Sequence, residues 1–94
     1  MSNPSNIQHD PRSRQFFVMV DDRKAYLCYM DLGKQTLDYY RTFVPPSLRG
    51  RGLAAKLTEY ALNHAKQSGY TVIPSCSYVE RYMQRQTTRS VRSA

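Results

Sequence analysis

The stretch Phe43–Leu62, FVPPSLRGRGLAAKLTEYAL, decides the fold of this chain. An apolar segment leads into it, and Pro45 and Pro46 end any strand there because neither proline can donate to a ladder of hydrogen bonds. Two glycines and two arginines follow, and from Leu53 onward the apolar residues recur at helical spacing. The stretch therefore predicts a strand, a glycine-rich turn and an amphipathic helix of about four turns.

Upstream of this stretch, segments rich in β-branched and aromatic residues alternate with short polar turns, which predicts an antiparallel meander. The predicted strands are Gln15–Val20, Lys24–Asp31 and Gln35–Val44. In the third strand, strict alternation puts Arg41 and Phe43 on the same face as Tyr39, with Tyr40 and Thr42 on the opposite face.

Downstream of the predicted helix, Gly69 supplies a stop signal, and Tyr70–Pro74 is predicted to be a short apolar strand. Because a helix separates this strand from Gln35–Val44, the two are predicted to run parallel. Ser77 and Glu80 have the spacing of a capping box, with Ser77 as the N-cap of a short second helix. The predicted fold is a mixed α/β sheet, with three antiparallel strands followed by a helix, a parallel strand and a short C-terminal helix.

Length and composition limit the classes of function. The chain has 94 residues, and 14 Lys+Arg against 7 Asp+Glu give a formal net charge of +7. This length allows one small domain, predicted over residues 14–84 between a flexible N-terminal arm (1–13) and a basic flexible tail (85–94). The 2 cysteines are too few for a disulfide framework and favour a reducing, cytoplasmic location. No apolar run suits a membrane span, and no spacing of Cys, His, Asp or Glu suggests a metal site.

The loop Arg49–Ala54, RGRGLA, carries the clearest chemical signal. A helix N-terminus leaves backbone N–H groups unpaired and carries a partial positive charge, while glycines allow a ligand to approach closely. With Arg49 and Arg51, these features predict a site for a phosphate or pyrophosphate; the alternative is a basic turn whose glycines serve tight geometry alone. The loop lacks both the Gly-Lys-Ser/Thr ending of a Walker A motif and the third glycine of the dinucleotide-binding motif.

The same stretch resembles the acetyl-coenzyme A signature of the GNAT acetyltransferases, Arg/Gln-x-x-Gly-x-Gly/Ala, at Arg49, Gly52 and Ala54. The match extends to the small single-domain GNAT-like N-acetyltransferases, whose pattern continues with a Pro-x-Cys-Ser-Tyr motif, here Pro74–Tyr78. The resemblance covers residues 14–83, nearly the whole predicted domain, and implies a minimal GNAT fold.

This resemblance implies an acetyl-coenzyme A-dependent N-acetyltransferase that acts on a primary amine, either a small molecule or a protein lysine. It implies backbone contacts with the pantetheine arm, a glycine loop around the pyrophosphate, and Lys56 within reach of the 3′-phosphate. The Val44 N–H would meet the oxyanion of the tetrahedral intermediate. The implied cofactor-binding residues are Phe43, Val44, Arg49, Gly50, Arg51, Gly52, Leu53, Ala54, Lys56 and Cys76.

Cys76, Tyr78 and Tyr82 are the candidate catalytic residues. A thiol beside a helix N-terminus has its thiolate favoured, and the resemblance implies that Cys76 lies near the cofactor sulfur. Three roles stay open for Cys76: a nucleophile that takes the acetyl group, a residue that lines the pocket during direct transfer, or a small buried hydrophobe. Tyr78 or Tyr82 is a candidate general acid for the departing thiolate, and core packing is the alternative for each.

Two departures from the family pattern keep other functions open. Arg41 replaces the histidine that begins the family's His-Thr-x-Val-Pro motif, here Arg41–Pro45, and an arginine cannot act as a base at neutral pH. The acidic segment expected after the second helix is replaced by residues 84–94, QRQTTRSVRSA. The alternatives are a non-catalytic coenzyme A-binding module and a nucleic-acid-binding protein, which is less favoured because no RNP-like or helix-turn-helix pattern is present.

Overall fold

A computed structural model describes the backbone of residues 6–93 and the side chains of residues 6–86. Over this range the chain forms one five-stranded sheet and two α-helices. In chain order the elements are β1 (Gln8–Asp10), β2 (Gln15–Val20), β3 (Arg23–Gly33), β4 (Thr36–Phe43), α1 (Leu53–Gln67), β5 (Thr71–Ile73) and α2 (Ser77–Ser93). The strands lie in the order of their numbers, and neighbours are antiparallel except β4 and β5, which are parallel. The predicted mixed α/β sheet with a parallel final strand is confirmed.

The core lies between α1 and one face of the sheet, called the helix-covered face below. Apolar side chains recur at helical spacing along α1 and at every second position along the strands, so both surfaces can bury them together. The hydroxyl of Tyr39, which is fully buried, donates a 2.6 Å hydrogen bond to the carbonyl of Ala61 and ties β4 to α1. Burial raises the pKa of Tyr39, which keeps this donor protonated. The buried residues of this core are Ile7, Phe16, Val18, Val20, Ala25, Leu27, Tyr29, Leu37, Tyr39, Leu48, Leu53, Leu57, Ala61, Ala65 and Val79.

Beside α1, on the same face, lies α2. Val79 is fully buried in the core, and Met83 packs against it. A cavity of about 440 Å³ lies between Leu62 and Ala65 of α1 and Met83 of α2. As described, neither α1 nor α2 is long and apolar enough to cross a membrane.

The other face of the sheet carries neither α1 nor α2 and is called the open face below. Its side chains alternate with the core residues along β2 and β3, and Met19 and Met30 are 51% and 45% exposed. The sheet therefore has two faces with different surroundings. The open face is formed by Gln15, Phe17, Met19, Lys24, Tyr26, Cys28, Met30, Asp38, Arg41 and Phe43.

A β-bulge in β4 shifts the register of the pairing between β4 and β3. Cys28 lies opposite Arg41, yet the next residue of β3, Tyr29, lies opposite Tyr39. Tyr40 is therefore an extra residue in β4 that has no counterpart across the pair.

This extra residue decides which side chains face the helices. Thr42 pairs with Leu27 and so joins the helix-covered face, whereas Arg41 and Phe43 join the open face. The predicted alternation, which put Arg41 and Phe43 on the face of Tyr39, is wrong. A single inserted residue reverses the two-residue period of every side chain beyond it.

Both ends of the described chain are more regular than predicted. β1 pairs antiparallel with β2, so Gln8–Asp10 of the predicted arm form an edge strand of the sheet. Ile7 is buried, and the His9 ring stacks on Phe16 with centroids 4.5 Å apart. Three residues carry too little pattern to predict a strand, and contacts with distant residues hold this one in place. Residues 1–5 lie outside the described residues.

At the other end, α2 continues to Ser93 through most of the segment predicted as a flexible tail. The prediction rested on the missing apolar pattern after Met83. That segment contains neither proline nor glycine, and its glutamines and arginines are good helix formers. Helix propensity therefore extends α2 although this segment has no apolar stripe. Ala94 lies outside the described residues.

Candidate functional site

Two glycines with positive φ shape the turn before α1. Gly50 has φ 85°, and Gly52, the residue that caps α1, has φ 74° and ψ 18° in the left-handed region. Within the described chain no side chain caps this helix, and its first turn contains no acidic residue. The first N–H groups of α1 therefore keep their partial positive charge uncompensated, as the sequence pattern predicts for an anion site.

A cavity of about 320 Å³ lies directly in front of α1. Its lining includes most of the predicted cofactor-binding residues and adds Leu48, Ala55 and Tyr78. The sequence pattern does not single out Leu48 and Ala55 for binding, and their signal is that they flank the glycine loop on its two sides. The lining residues are Val44, Leu48, Arg49, Gly50, Gly52, Leu53, Ala54, Ala55 and Tyr78.

Arg49 connects the glycine loop to the end of β4. Its Nε donates a 3.0 Å hydrogen bond to the carbonyl of Val44. The side chain is exposed, and this bond uses one of its five guanidinium N–H donors. This hydrogen bond thus holds the glycine loop close to the end of β4, beside the cavity that Arg49 lines.

Other predicted cofactor-binding residues lie outside the cavity lining. Arg51 is exposed and forms an ion pair with Asp21, with 3.6 Å between guanidinium nitrogen and carboxylate oxygen. Phe43 directs its ring to the open face, 5.4 Å from the ring of Tyr26, so only its backbone leads towards the cavity. Lys56 is exposed in the first turn of α1.

Cys76 takes the capping position of α2. The carbonyl of Cys76 accepts a 2.9 Å hydrogen bond from the N–H of Glu80, which is the first bond of the helix. Ser77 is therefore the first helical residue, and its predicted role as N-cap is wrong by one position. The N–H of Cys76 donates a 2.9 Å bond to the carbonyl of Tyr39, and its Sγ lies 3.5 Å from the Thr42 hydroxyl.

The thiol of Cys76 is surrounded by hydrogen-bond donors. Burial raises its pKa, but hydrogen bonds from the Thr42 hydroxyl and from the backbone N–H groups of Val79, Tyr78 and Thr42 together outweigh burial. The net effect is a pKa below the ordinary cysteine value, because these donors stabilise the thiolate. Half-buried Cys28 has the opposite shift, since burial raises its pKa.

The two candidate tyrosines occupy different positions. Tyr78 lines the cavity in front of α1 and also a smaller cavity of about 140 Å³ beside it. Tyr82 lines the smaller cavity together with Arg85, on the far side of Tyr78. The structure thus brings Tyr78, two residues from Cys76, closer to the glycine loop than Tyr82.

Asp38 is a feature that the sequence analysis does not single out. It forms the last register pair of β4 and β5, opposite Ile73, where the two strands stop pairing. One of its carboxylate oxygens is buried and has no hydrogen-bond partner among the described residues. Buried polar atoms normally have a partner, so this oxygen is suited to a donor from a ligand. The described residues contain no cluster of His, Cys, Asp or Glu that would hold a metal ion.

Known proteins are similar to this chain over the elements that form the candidate site. Residues 15–91 match the family described as GCN5-related N-acetyl-transferase. The human Protein NATD1 is 34% identical over 82 residues, which are 85% of this chain and 73% of that protein. Protein NATD1 of Xenopus tropicalis is 32% identical over 84 residues, 87% of this chain and 77% of that protein. The matched range contains the glycine loop, the cavity in front of α1 and Cys76.

Proposed function

The chain belongs to the GCN5-related N-acetyltransferase family, and we propose that it transfers the acetyl group of acetyl-coenzyme A to a primary amine. The observation that carries the proposal is the uncapped N-terminus of α1, which opens into the 320 Å³ cavity. Free N–H groups at a helix start favour a pyrophosphate. Tyr78 belongs to the same lining, and Cys76, which lies outside it, is two residues earlier in the chain; there the acyl chemistry would take place.

In this proposal the loop holds the cofactor by its backbone. Gly50 and Gly52 have no side chains to keep a phosphate away, and the N–H groups of Leu53 and Ala54 begin the helix. Arg49 adds a positive charge while its bond to Val44 keeps the loop against β4. Arg51 and Lys56 are exposed and contribute to the electrostatic attraction rather than to the lining.

Cys76 is the proposed reactive group. The Cys76 thiolate attacks the acetyl carbonyl, the bond from carbon to the coenzyme A sulfur breaks, and a new thioester to Cys76 forms. The amine, in its neutral form, then attacks this thioester and the bond from carbon to the Cys76 sulfur breaks. Cys76 leaves as a thiolate, and the proton lost by the nitrogen passes to solvent. The hydrogen-bond donors around Sγ support this route, because they favour the thiolate both as attacking and as leaving group. The alternative is direct attack by the amine, with Cys76 lining the pocket.

Tyr78 is the proposed general acid, and Tyr82 the second candidate. A proton must reach the departing coenzyme A thiolate, and a tyrosine hydroxyl can supply it. Tyr78 is favoured because it lines the cavity in front of α1. Replacing Tyr78 with Phe is expected to lower kcat by about 10²-fold or more, with Tyr82→Phe as the matched control that retains most activity.

An amine acceptor is supported by Asp38. Its unpartnered oxygen lies where β4 and β5 separate, and an ammonium group of the acceptor would supply the missing donor. The conservative variant Asp38→Asn removes the charge with little change of shape. We expect it to raise KM for the amine and to leave KM for acetyl-coenzyme A unchanged.

The test is to incubate the protein with acetyl-coenzyme A and a panel of amines, and to follow both release of free coenzyme A and intact mass. An acetyl adduct that appears on the wild type and on Cys28→Ala but not on Cys76→Ala supports the covalent route. Turnover without an adduct supports direct transfer. Binding of coenzyme A without turnover on any amine would overturn the proposed activity and favour the non-catalytic module.

A further inference from the structure

Three aromatic side chains form one row across the open face. Phe17 of β2 lies directly opposite Tyr26 of β3, and Tyr26 lies directly opposite Phe43 of β4. All three are half-buried, and the Tyr26 and Phe43 rings are 5.4 Å apart between centroids. Neighbouring strands are about 4.8 Å apart, so the row presents consecutive rings at a spacing wider than the ~3.4 Å of stacked nucleobases, which suits a strand extended beyond stacking.

Two cations flank this aromatic row on opposite sides. Lys24 Nζ lies 4.8 Å from the centroid of the Phe17 ring, and the guanidinium carbon of Arg41 lies 5.9 Å from that of Tyr26. Lys24 and Arg41 each precede an aromatic residue of the row by two positions on antiparallel strands, which places them on its two sides. Both side chains are exposed.

Two carboxylates lie on the same face as the row. Asp10, at the β1 edge, accepts hydrogen bonds from the backbone N–H groups of Arg12 and Ser13 and lies within electrostatic reach of Lys24. Asp38 lies farther along the face, opposite Met30, with one oxygen buried. The cations beside the rings belong to a chain with an excess of positive charge, 14 basic against 7 acidic residues.

We propose that the open face binds single-stranded nucleic acid without base preference. Lys24 and Arg41, which lie over the rings of Phe17 and Tyr26, turn to phosphates on either side of the row, and bases stack on the faces of Phe17, Tyr26 and Phe43. Aromatic rings with flanking cations on an exposed sheet match a flexible chain that alternates planar bases with negative charges. Neither the cavity in front of α1 nor Cys76 takes part. Asp38, the proposed amine contact, lies on the same face beyond the row, and Phe43 would meet the cofactor through its backbone alone. The variants below change none of these residues, so they test this binding apart from the proposed acetyl transfer.

Binding is measured by fluorescence anisotropy of a labelled ten-nucleotide oligo(dT), titrated with the full chain between 50 and 200 mM salt. Replacing Phe17 with Leu is expected to weaken binding about tenfold. The double variant Lys24→Gln/Arg41→Gln is expected to make the slope of log K against log salt shallower by about 1.4, as two lost phosphate contacts predict. The matched control Lys66→Gln/Arg81→Gln removes the same charge from exposed helix positions and should leave affinity and slope closer to wild type.

Circular dichroism and coenzyme A binding of each variant report whether the fold is kept. The proposal is overturned if folded wild type does not bind the oligonucleotide, or if both double variants weaken binding equally. It is also overturned if duplex DNA or polyglutamate binds as tightly as oligo(dT), since charge alone would then explain the affinity. Dimerisation that Phe17→Leu abolishes, without oligonucleotide binding, would assign the open face to a second copy of this chain.

Discussion

The two cysteines of this chain contact opposite faces of the same strand, and their thiols differ accordingly. Cys76 reaches Thr42 on the helix-covered face of β4, whereas Cys28 lies opposite Arg41 on the open face. Both are half-buried, and burial alone raises the pKa of each. The pKa of Cys76 is lowered overall because the Thr42 hydroxyl, and then backbone N–H groups that include those at the start of α2, donate to its sulfur. Burial raises the pKa of both thiols, and the hydrogen-bond donors around Cys76 make it the more reactive one.

The two sheet faces differ in the same way. Around the helix-covered face, apolar packing fixes each side chain, and the free backbone groups of α1 and α2 supply the polar chemistry. On the open face, the chemistry comes from side chains, and the bulge at Tyr40 turns two of them, Arg41 and Phe43, outward. One inserted residue therefore separates a site built from backbone from a surface built from rings and cations.

Exchange of Arg41 and Thr42 should break this separation and have the largest effect. In the Arg41→Thr/Thr42→Arg variant the guanidinium faces the helices and Cys76 loses the neighbouring hydroxyl. We expect the free energy of unfolding to fall by about 3 kcal/mol, because an unpaired charge becomes buried. Thermal and urea denaturation measure the loss. Tyr40→Ala changes an exposed side chain at the bulge and should change stability by at most about 0.5 kcal/mol; equal stability of the two variants would contradict the account.

Substitution of one tyrosine on each face compares the two faces of the sheet without changing the backbone. Tyr39→Phe removes one of two donors to the carbonyl of Ala61, which keeps its helical N–H partner, and should cost about 1 kcal/mol. Tyr26→Phe removes a hydroxyl from the open face and should stay within about 0.5 kcal/mol. Urea denaturation of both variants tests the difference. Equal losses would show that the hydroxyl of Tyr39 does not tie β4 to α1 as described.

Alkylation by iodoacetamide at pH 7, followed by mass spectrometry of peptides, sharpens the comparison of the cysteines. Because its pKa is lowered, Cys76 carries more thiolate than Cys28 and should react first. Thr42→Val removes a donor to the Cys76 sulfur and should slow its alkylation severalfold while leaving Cys28 unchanged. Faster reaction at Cys28 in the wild type would reverse the assignment.

The smallest expected effect is on the pH dependence of the free energy of unfolding. It comes from His9, at the β1 edge of the helix-covered face. The His9 ring lies 4.6 Å from the His64 ring between centroids and hydrogen-bonds the Tyr29 hydroxyl at 2.6 Å. Burial, and then the neighbouring His64, lower the pKa of His9, although the charge of Asp10 opposes them. Below about pH 6.5 the unfolded chain therefore binds more protons than the native one, and the free energy of unfolding falls.

Urea denaturation between pH 5 and 7.5 measures this loss of stability, with His9→Gln as the comparison. We expect the wild type to lose up to about 1 kcal/mol more than the variant as the pH falls through the native pKa of His9. Parallel curves for the two proteins would show that His9 titrates as it does in the unfolded chain.

Much of the fold could be predicted because its signals are local. The change from alternating to helical spacing at Leu53 marks the strand–turn–helix unit, and the glycine loop carries its own conformational demand at Gly52. Most of the cavity lining follows from this loop, since residues adjacent in the chain remain adjacent around a helix start. The parallel final strand follows from the intervening helix.

Features that depend on distant contacts could not be predicted. β1 exists because Ile7 and His9 pack against residues of β2 and α1. The N-cap of α2 moves from Ser77 to Cys76 because the backbone of Cys76 is already bonded to β4. Neither contact leaves a pattern within a window of a few residues.

The amino-acid sequence by itself determines the order of elements, the glycine-rich anion loop and the family to which the chain belongs, because these depend on spacing along the chain. The tertiary structure alone decides which face each residue of β4 occupies. That choice depends on the pairing of β4 with β3, where the bulge at Tyr40 reverses the side-chain period. It puts Thr42 against the reactive thiol and Arg41 beside the aromatic row, so the division between site and surface is a property of register.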